Sequence, residues 1–307
     1  MGSSGSDMRV FILGGTGSIG TELVKQLRSR SHEVIALSRS ARSDEKLKKL
    51  GAIPFRGDMR EPEGWVSETL KHDAVIQVAA TFSDDMAEVD NRVTSALIDT
   101  SSELTEKRRI LYTGGCWLYG ETGDEVATED RAFDPLPAFE WMVKNGERLL
   151  NCASFSTAIV HPALVYHEEG GAFERMMTAA REDQPIEVWG TPETRWAIIE
   201  RSDLARAYCE FLDKPVLTGH FNAATQECVR VGDIANWLAR RYDNTNPMII
   251  RGADELVREY GSWAKGPTLD QQMSADKLMK LTDWRPQITD YRNLKLAAGS
   301  HYENISA

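Results

Sequence analysis

Hydrophobic residues in the first half of the chain fall into short continuous runs, and the longer stretches between them carry apolar residues every three or four positions. The continuous runs are typical of buried strands, and the periodic stretches predict amphipathic helices that cover those strands. The runs predict strands over residues 10–13, 33–37, 53–55, 74–78, 109–113 and 157–160. The periodic stretches predict helices over residues 19–30, 44–50, 62–70, 84–106 and 140–153. This alternation predicts an α/β fold with a doubly wound parallel sheet.

The pattern becomes less regular after about residue 162, where glycine and proline interrupt the apolar positions. Helices are still predicted over residues 202–212 and 231–241. No long linker separates the two halves, so we expect them to share a cleft. The second half is expected to form a smaller lobe over the carboxyl ends of the strands. The polar N-terminus, residues 1–7, has the composition of an expression scar and is excluded from the fold.

Composition narrows the class of protein. The 307 residues are 41% hydrophobic and include eight Trp, eight Tyr and nine Phe, which predicts a globular chain with a large core. The net charge of −11 opposes binding to nucleic acid, and the longest apolar run, residues 74–80, is too short to span a membrane. The four cysteines have no metal-binding spacing, so we expect reduced thiols, no metal site and a cytoplasmic protein.

A glycine-rich segment lies between the first predicted strand and the first predicted helix. Gly14, Gly17 and Gly20 permit a tight turn, a close approach of a pyrophosphate and close packing of helix on strand. The helix N-terminus adds unpaired N–H groups for phosphate. We therefore predict a Rossmann-type dinucleotide-binding domain over residues 8–165. The predicted contacts in this segment are Gly14, Thr16, Gly17, Ser18, Ile19 and Gly20.

The end of the second strand selects between the two nicotinamide cofactors. An acidic residue there would bind the ribose 2′-hydroxyl of NAD, but this chain has Ser38 and Arg39, which suit the 2′-phosphate of NADP. Arg42 could assist. We predict NADP as the cofactor, with NAD as the alternative. The other predicted contacts are Asp58, Met59, Ala79, Ala80, Thr81, Lys144, Pro162 and Val165.

These motifs resemble those of the extended short-chain dehydrogenases/reductases, the NAD-dependent epimerase/dehydratase family. The resemblance rests on the glycine spacing, on Tyr119-Gly120, and on segments 161–166, 200–205, 219–223 and 276–286. It implies carbonyl or alcohol chemistry on a small-molecule substrate. It also implies that residues 166–307 form a mixed α/β substrate-binding lobe, with parts that return to the first domain. A homodimer through the predicted helices 84–106 and 140–153 would be similar to the family.

The predicted catalytic residues depart from the family pattern. The family carries Ser or Thr after the fifth strand and Tyr-x-x-x-Lys on the next helix. Here Lys144 is retained, Glu140 takes the tyrosine position, and the hydroxyl position falls on Gly115. A missing general acid removes about 10²–10⁴ in rate. Glu140 could replace it or form a surface ion pair with Lys144. The set of predicted catalytic residues is Lys144, Glu140, Tyr119 and Thr113.

Aromatic residues dominate the predicted substrate pocket. Its members are Cys116, Trp117, Trp141, Tyr166 and Trp196. This content favours a hydrophobic or aromatic substrate, although Arg175, Arg181 and Arg195 could instead bind a diphosphate.

Three functional hypotheses follow. The first is an NADP(H)-dependent reductase, dehydrogenase or epimerase with a non-standard active site. The second is a lyase, isomerase or cyclase without redox chemistry on the same scaffold. The third is a binding protein that senses NADP(H).

Overall fold

The computed structural model describes residues 7–80 and 83–296. Thr81 and residues 1–6 of the expected expression scar lie outside the described residues. The strands in chain order are β1 (Arg9–Leu13), β2 (Glu33–Ser38), β3 (Ile53–Arg56), β4 (Ala74–Gln77), β5 (Arg108–Thr113), β6 (Val126–Ala127), β7 (Phe155–Pro162), β8 (Leu164–His167), β9 (Gly170–Gly171), β10 (Glu187–Trp189), β11 (Arg195–Glu200), β12 (Gly219–Ala223), β13 (Gln226–Arg230), β14 (Ile249–Arg251) and β15 (Gln272–Met273). The helices are α1 (Ser18–Ser29), α2 (Ala41–Lys49), α3 (Val66–Thr69), α4 (Met86–Thr100), α5 (Glu140–Leu150), α6 (Glu174–Arg181), α7 (Arg201–Asp213), α8 (Val231–Arg241), α9 (Ala253–Tyr260) and α10 (Asp276–Leu281).

The central sheet confirms the predicted doubly wound α/β class. Among the described residues it has seven parallel strands in the order β12-β7-β5-β4-β1-β2-β3. Successive residues of β1 enter different cores: Val10 and Ile12 pack with α1 and α7, and Phe11 and Leu13 pack with α3, α4 and α5. Because side chains alternate along a strand, a sheet covered on both faces requires apolar residues at consecutive positions.

The sheet contains one strand more than the sequence pattern predicts. β12 comes from the second half of the chain and pairs in parallel with β7, from Gly219 opposite Ala158 to Ala223 opposite Pro162. Its residues, GHFNA, do not form the continuous apolar run that identified the other strands. The predicted domain boundary at residues 165/166 stays a prediction.

Some helices differ in extent from the predicted ones. The stretch 62–70 contains only a single turn at Pro62–Gly64 and the four-residue α3, because Trp65 between them leaves the helical conformation. The Trp65 ring stacks on Phe11 and its N–H donates to the carbonyl of Asp58. α4 ends at Thr100, six residues before the predicted end.

The second lobe has a four-stranded sheet in the order β13-β11-β8-β9 and a two-stranded pair, β10-β14. Helices α6 and α8 pack on this lobe through Met176, Met177, Ile234 and Leu238, together with Trp196 of β11. None of the helices in the described part of the chain is long and apolar enough to cross a membrane.

Candidate functional site

A cleft of about 1220 Å³ lies between the carboxyl ends of the central strands and the second lobe. Its floor includes residues that follow β1, β2, β4 and β5, and its far wall includes residues of α6, β10 and β11. The strand order reverses at β1, because β2 lies on one side of β1 and β4 on the other. Ligands of open α/β sheets bind at this kind of crevice.

The glycine-rich segment forms one end of the cleft. Gly14 has φ +91°, and a Cβ atom there would lie 2.7 Å from the backbone of Ala79. A Cβ atom at Gly20 would lie 2.0 Å from the carbonyl oxygen of Gly14, so α1 packs on the loop only because this side chain is missing. Thr16, Gly17, Ser18 and Ile19 line the cleft with Gly14, whereas Gly20 lies beneath the loop and is buried. The N-terminus of α1 therefore faces a cradle with room for an anionic group.

The end of β2 presents a cation and hydroxyl groups to the same end of the cleft. Ser38, Arg39 and Ser43 line it, and the side chain of Ser40 accepts a hydrogen bond from the Ser43 N–H and so caps α2. Within the part of the chain that the structure describes, Arg39 forms no ion pair. Arg42 does not line the cleft.

Of the remaining predicted cofactor contacts, six lie further along the cleft, Lys144 does not line it, and Thr81 lies outside the described residues. Asp58 accepts a hydrogen bond from the backbone N–H of Arg60 at 2.9 Å. The predicted contacts that line the cleft beyond the glycine segment and β2 are Asp58, Met59, Ala79, Ala80, Pro162 and Val165.

Thr113 is the predicted catalytic residue that the structure places in the cleft. Its hydroxyl donates to the carbonyl oxygen of Gln77 at 2.6 Å and lies 2.5 Å from the hydroxyl of Tyr208. Because the Thr113 proton is used for Gln77, the Tyr208 hydroxyl donates to Thr113. Burial raises the pKa of Tyr208 well above its ordinary value, so Tyr208 remains a neutral donor.

The other predicted catalytic residues lie elsewhere. Glu140 and Lys144 have side chains 51% and 74% exposed, and they form an ion pair with each other at 3.4 Å. The side of α5 that lines the cleft carries Trp141 and Met142. Tyr119 is buried, and its hydroxyl donates to Asn222 at 2.7 Å. The catalytic roles of these residues stay predictions.

A buried polar cluster at the cleft was not foreseen from the sequence. The Asp90 carboxylate on α4 accepts hydrogen bonds from Gln77 at 2.8 Å, from Tyr112 at 2.7 Å and from Asn145 at 2.8 Å. Asp90 is 4% exposed, and burial raises its pKa. Asp90, Gln77 and Tyr112 all line the cleft. A signal was present in the sequence, because Asp90 stands on the buried side of α4 together with Val93 and Leu97.

Four of the five predicted substrate residues line the cleft, and Tyr166 does not. Cys116, Trp117, Trp141 and Trp196 line the cleft. Burial raises the pKa of Cys116 to about 12, so its thiol is not a ready nucleophile. Tyr166 instead lies in the core of the second lobe, where its ring stacks on Phe173 with the centroids 4.7 Å apart.

Of the three arginines considered as ligands of a diphosphate, one lines the cleft and two do not. Arg175 lines the cleft. Arg195 is held by ion pairs with Asp124 and Asp270, and Arg181 contacts Tyr242 outside the cleft. Groups of His, Cys, Asp or Glu that could hold a metal ion are not found among residues 7–80 and 83–296.

Comparison with known proteins gives a consistent result. The family model of the NAD dependent epimerase/dehydratase family matches residues 10–224. The uncharacterized protein C2A9.02 of Schizosaccharomyces pombe is 22% identical over 282 residues, which cover 91% of this chain and 95% of that protein.

Two solved structures share the fold. Thermus thermophilus UDP-glucose 4-epimerase in complex with NAD has a TM-score of 0.76 at 20% identity, and the match covers 93% of this chain and 96% of that chain. Human epimerase family protein SDR39U1 (isoform 2) with NADPH has a TM-score of 0.76 at 18% identity, covering 92% and 96%. At these identities the likeness shows the fold alone.

Proposed function

The chain belongs to the NAD dependent epimerase/dehydratase family, and from this premise we propose that it is an NADP(H)-dependent oxidoreductase or epimerase. Its substrate would be a small molecule with a carbonyl group or a secondary alcohol. The observation that carries the proposal is the continuous cleft that runs from the glycine cradle to aromatic residues contributed by both halves of the chain. A cofactor held at the cradle and a substrate held by the lobe would share one enclosed space.

The residues at the cradle fit a dinucleotide. A Cβ atom at Gly14 or Gly20 would collide with backbone, so these two glycines let the loop pack closely against Ala79 and against the start of α1. This packing leaves Gly17 and Ser18 at the surface of the cleft. Backbone N–H groups at the start of α1 would hold the pyrophosphate. The small side chains of Ala79 and Ala80 leave room across the strand ends. When bound, a nicotinamide cofactor supplies or accepts a hydride.

NADP is preferred to NAD in this proposal because of the charge at the end of β2. Arg39 has no carboxylate partner among the described residues, and Ser38 and Ser43 line the same part of the cleft. Asp44, an acidic residue in the first turn of α2, is already paired with Arg56. A guanidinium beside hydroxyl groups suits a 2′-phosphate, which carries charge that a free ribose hydroxyl lacks.

Thr113 would orient the reacting oxygen of the substrate. If its hydroxyl turned from Gln77 toward the cleft, the Tyr208 hydroxyl would still donate to the Thr113 oxygen and hold it in place. Tyr208 is fully buried, so it supports Thr113 without contacting the cleft. In this role Thr113 supplies a hydrogen bond in place of the missing hydroxyl at Gly115.

Calorimetric titration of the apo protein with NADP⁺ and NAD⁺ tests the cofactor assignment. We expect NADP⁺ to bind more tightly, and Arg39→Gln to weaken NADP⁺ about tenfold or more while NAD⁺ binding is unchanged. Arg42→Gln is the matched control, because Arg42 is three residues away and does not line the cleft. Failure of the wild-type protein to bind either nucleotide would refute the proposal.

A second candidate function is supported by the exposure of Glu140 and Lys144. With both side chains outside the cleft, the protein could bind NADP(H) without turnover. Incubation with NADPH deuterated at the nicotinamide C4 and a panel of carbonyl compounds separates the two functions. Deuterium in a reduced product supports the oxidoreductase. Nucleotide binding without transfer to any carbonyl compound, and without inversion of a secondary alcohol included in the same panel, supports the sensor. The predicted homodimer and cytoplasmic location stay predictions.

A further inference from the structure

Aromatic rings from both halves of the chain line one region of the cleft. The N–H of Trp141 donates to the carbonyl of Ala138 at 2.8 Å, and that of Trp196 donates to the carbonyl of Pro267 at 2.9 Å. Because these N–H groups are already bonded within the protein, both rings offer apolar surface to a ligand. The aromatic residues that line the cleft here are Trp117, Phe139, Trp141, Trp196, Tyr260 and Trp263.

One cation lies within this aromatic region without a polar partner. The guanidinium of Arg175 on α6 lies 3.4 Å from the centre of the Trp189 ring. No described residue forms an ion pair with it, and its buried Nε has no hydrogen-bond partner. Burial lowers the pKa of Arg175 to about 10, so the group is still charged at neutral pH.

Glu187 is the carboxylate that most favours the charged form of Arg175, but it already binds other groups. Glu187 forms an ion pair with Arg251 at 3.2 Å and accepts a hydrogen bond from the N–H of Trp189 at 3.0 Å. Arg251 also pairs with Glu255 and Glu259 on α9. Glu187 therefore already has a cationic partner, and among the described residues it forms no ion pair with Arg175, so the guanidinium N–H groups of Arg175 are available to a ligand.

The charges around the cleft limit the charge of that ligand. Glu174 and Glu182 also line this region, at exposed positions on the same helix as Arg175 or just beyond it. One free guanidinium beside two exposed carboxylates suits a ligand with a single negative charge. A diphosphate carries more negative charge, so the two carboxylates would repel it more strongly. A planar guanidinium fork matches a carboxylate by two parallel hydrogen bonds.

We propose that the substrate is an apolar, ring-containing molecule that bears one carboxylate, with Arg175 binding the carboxylate and the aromatic walls enclosing the rings. This inference rests on the proposed function, because it assigns a substrate class to the same cleft. It does not depend on which atom of the substrate reacts.

The test uses 2-naphthoate and its neutral isostere 2-naphthamide as probes, titrated by calorimetry into the protein with and without saturating NADP⁺. We expect the wild-type protein to bind naphthoate about tenfold or more tightly than naphthamide. Arg175→Gln removes this preference by weakening naphthoate alone. Arg175→Lys keeps the charge but loses the fork, so it gives an intermediate affinity. Arg181→Gln, on the same helix but outside the cleft, keeps the wild-type preference.

Several outcomes would overturn the proposal. They are the absence of saturable naphthoate binding to the wild-type protein, equal affinity for the acid and the amide, or the same preference in Arg175→Gln. Binding of UDP-glucose that depends on Arg175 would show a diphosphate site and would also overturn it. NADP⁺ titration and the melting temperature of Arg175→Gln report separately on cofactor binding and folding. If the wild-type protein does not bind NADP⁺, the proposed function is wrong, but the comparison of naphthoate with naphthamide still tests the role of Arg175.

Discussion

At the scale of single residues, two neighbouring glycines after β5 have opposite surroundings. A Cβ atom at Gly114 would lie 2.4 Å from Nδ1 of His161, whereas a Cβ atom at Gly115 would have no atom within 4 Å. Gly115 has φ 176°, an extended backbone that any residue adopts. Gly114 is therefore required by packing, and Gly115 is a position where a side chain would fit although the chain has none.

Replacement of each glycine by alanine tests this difference. Gly114→Ala is expected to lower the free energy of unfolding by about 1–3 kcal/mol, because the new methyl group overpacks against His161. Gly115→Ala is expected to change it by less than about 0.5 kcal/mol. Urea unfolding of both variants measures the effect. Equal stability of the two variants would show that the His161 ring moves aside without cost.

At the scale of elements, the orientation of α5 decides which of its residues meet the cleft. One residue rotates a helix by about 100°, so neighbouring positions face different surroundings. Trp141 and Met142 line the cleft, while Glu140 and Lys144 lie on the exposed side. The sequence spacing of Glu140 and Lys144 predicts that they share a side of the helix. It does not predict which side.

The attachment of β12 depends on a buried arginine in β5. Arg109 is 5% exposed and donates to the carbonyl oxygens of Phe211 at 3.0 Å, Ser156 at 3.1 Å and Leu217 at 2.8 Å. These acceptors belong to the end of α7, to β7 and to the connection that leads into β12. Arg109 thus connects the segment that leads into β12 to the interior of the sheet.

Arg109→Met is expected to cost about 2–4 kcal/mol of unfolding free energy, because buried carbonyl oxygens lose charged donors. Arg108→Met is the control at the neighbouring position, where the guanidinium donates to the carbonyl of Leu70, and we expect a loss below about 1 kcal/mol. Urea unfolding compares the two variants. If Arg109→Met loses no more unfolding free energy than the control, the hydrogen bonds of Arg109 do not stabilise the attachment of β12.

At the scale of the whole molecule, buried histidines link the fold to pH. His161 accepts a hydrogen bond from the Gly115 N–H, so its Nε2 carries the proton and donates to His220 at 2.9 Å. His220 in turn donates to the Glu147 carboxylate at 3.2 Å. Burial lowers the pKa of His161 to about 3 and that of His167 to about 4. Both rings are therefore neutral in the folded protein at neutral pH.

The folded protein should lose stability on mild acidification. In the unfolded chain His161 and His167 become protonated near pH 6.5, whereas in the folded chain they become protonated only at about pH 3 and about pH 4. The contribution of these two histidines to stability is thus full above pH 6.5 and falls with pH below it, by up to about 1.4 kcal/mol per unit for each histidine. Asp90, Glu129 and Glu200, whose pKa values are raised by burial, act in the opposite direction. Urea unfolding between pH 7 and pH 5 measures the slope. His161→Asn should give a shallower slope than the wild-type protein, and an equal slope would exclude His161 as a source.

The sequence alone determined the features that depend on residues close together in the chain. Continuous apolar runs predicted six of the seven central strands, and the inner strands among them are buried on both faces, whereas β3 lies at the edge of the sheet and is partly exposed. The glycine spacing predicted the turn between β1 and α1, since the steric need for glycine is local. These signals need no knowledge of what else packs nearby.

Only the tertiary structure decided which distant groups meet. It placed the polar strand β12 in the sheet, buried Asp90 among three donors and left Arg175 unpaired while Arg195 met two aspartates. The physical reason is that burial and pairing depend on partners contributed by remote segments. A charged side chain has the same identity in the sequence whether the fold neutralises it or directs it into a cleft.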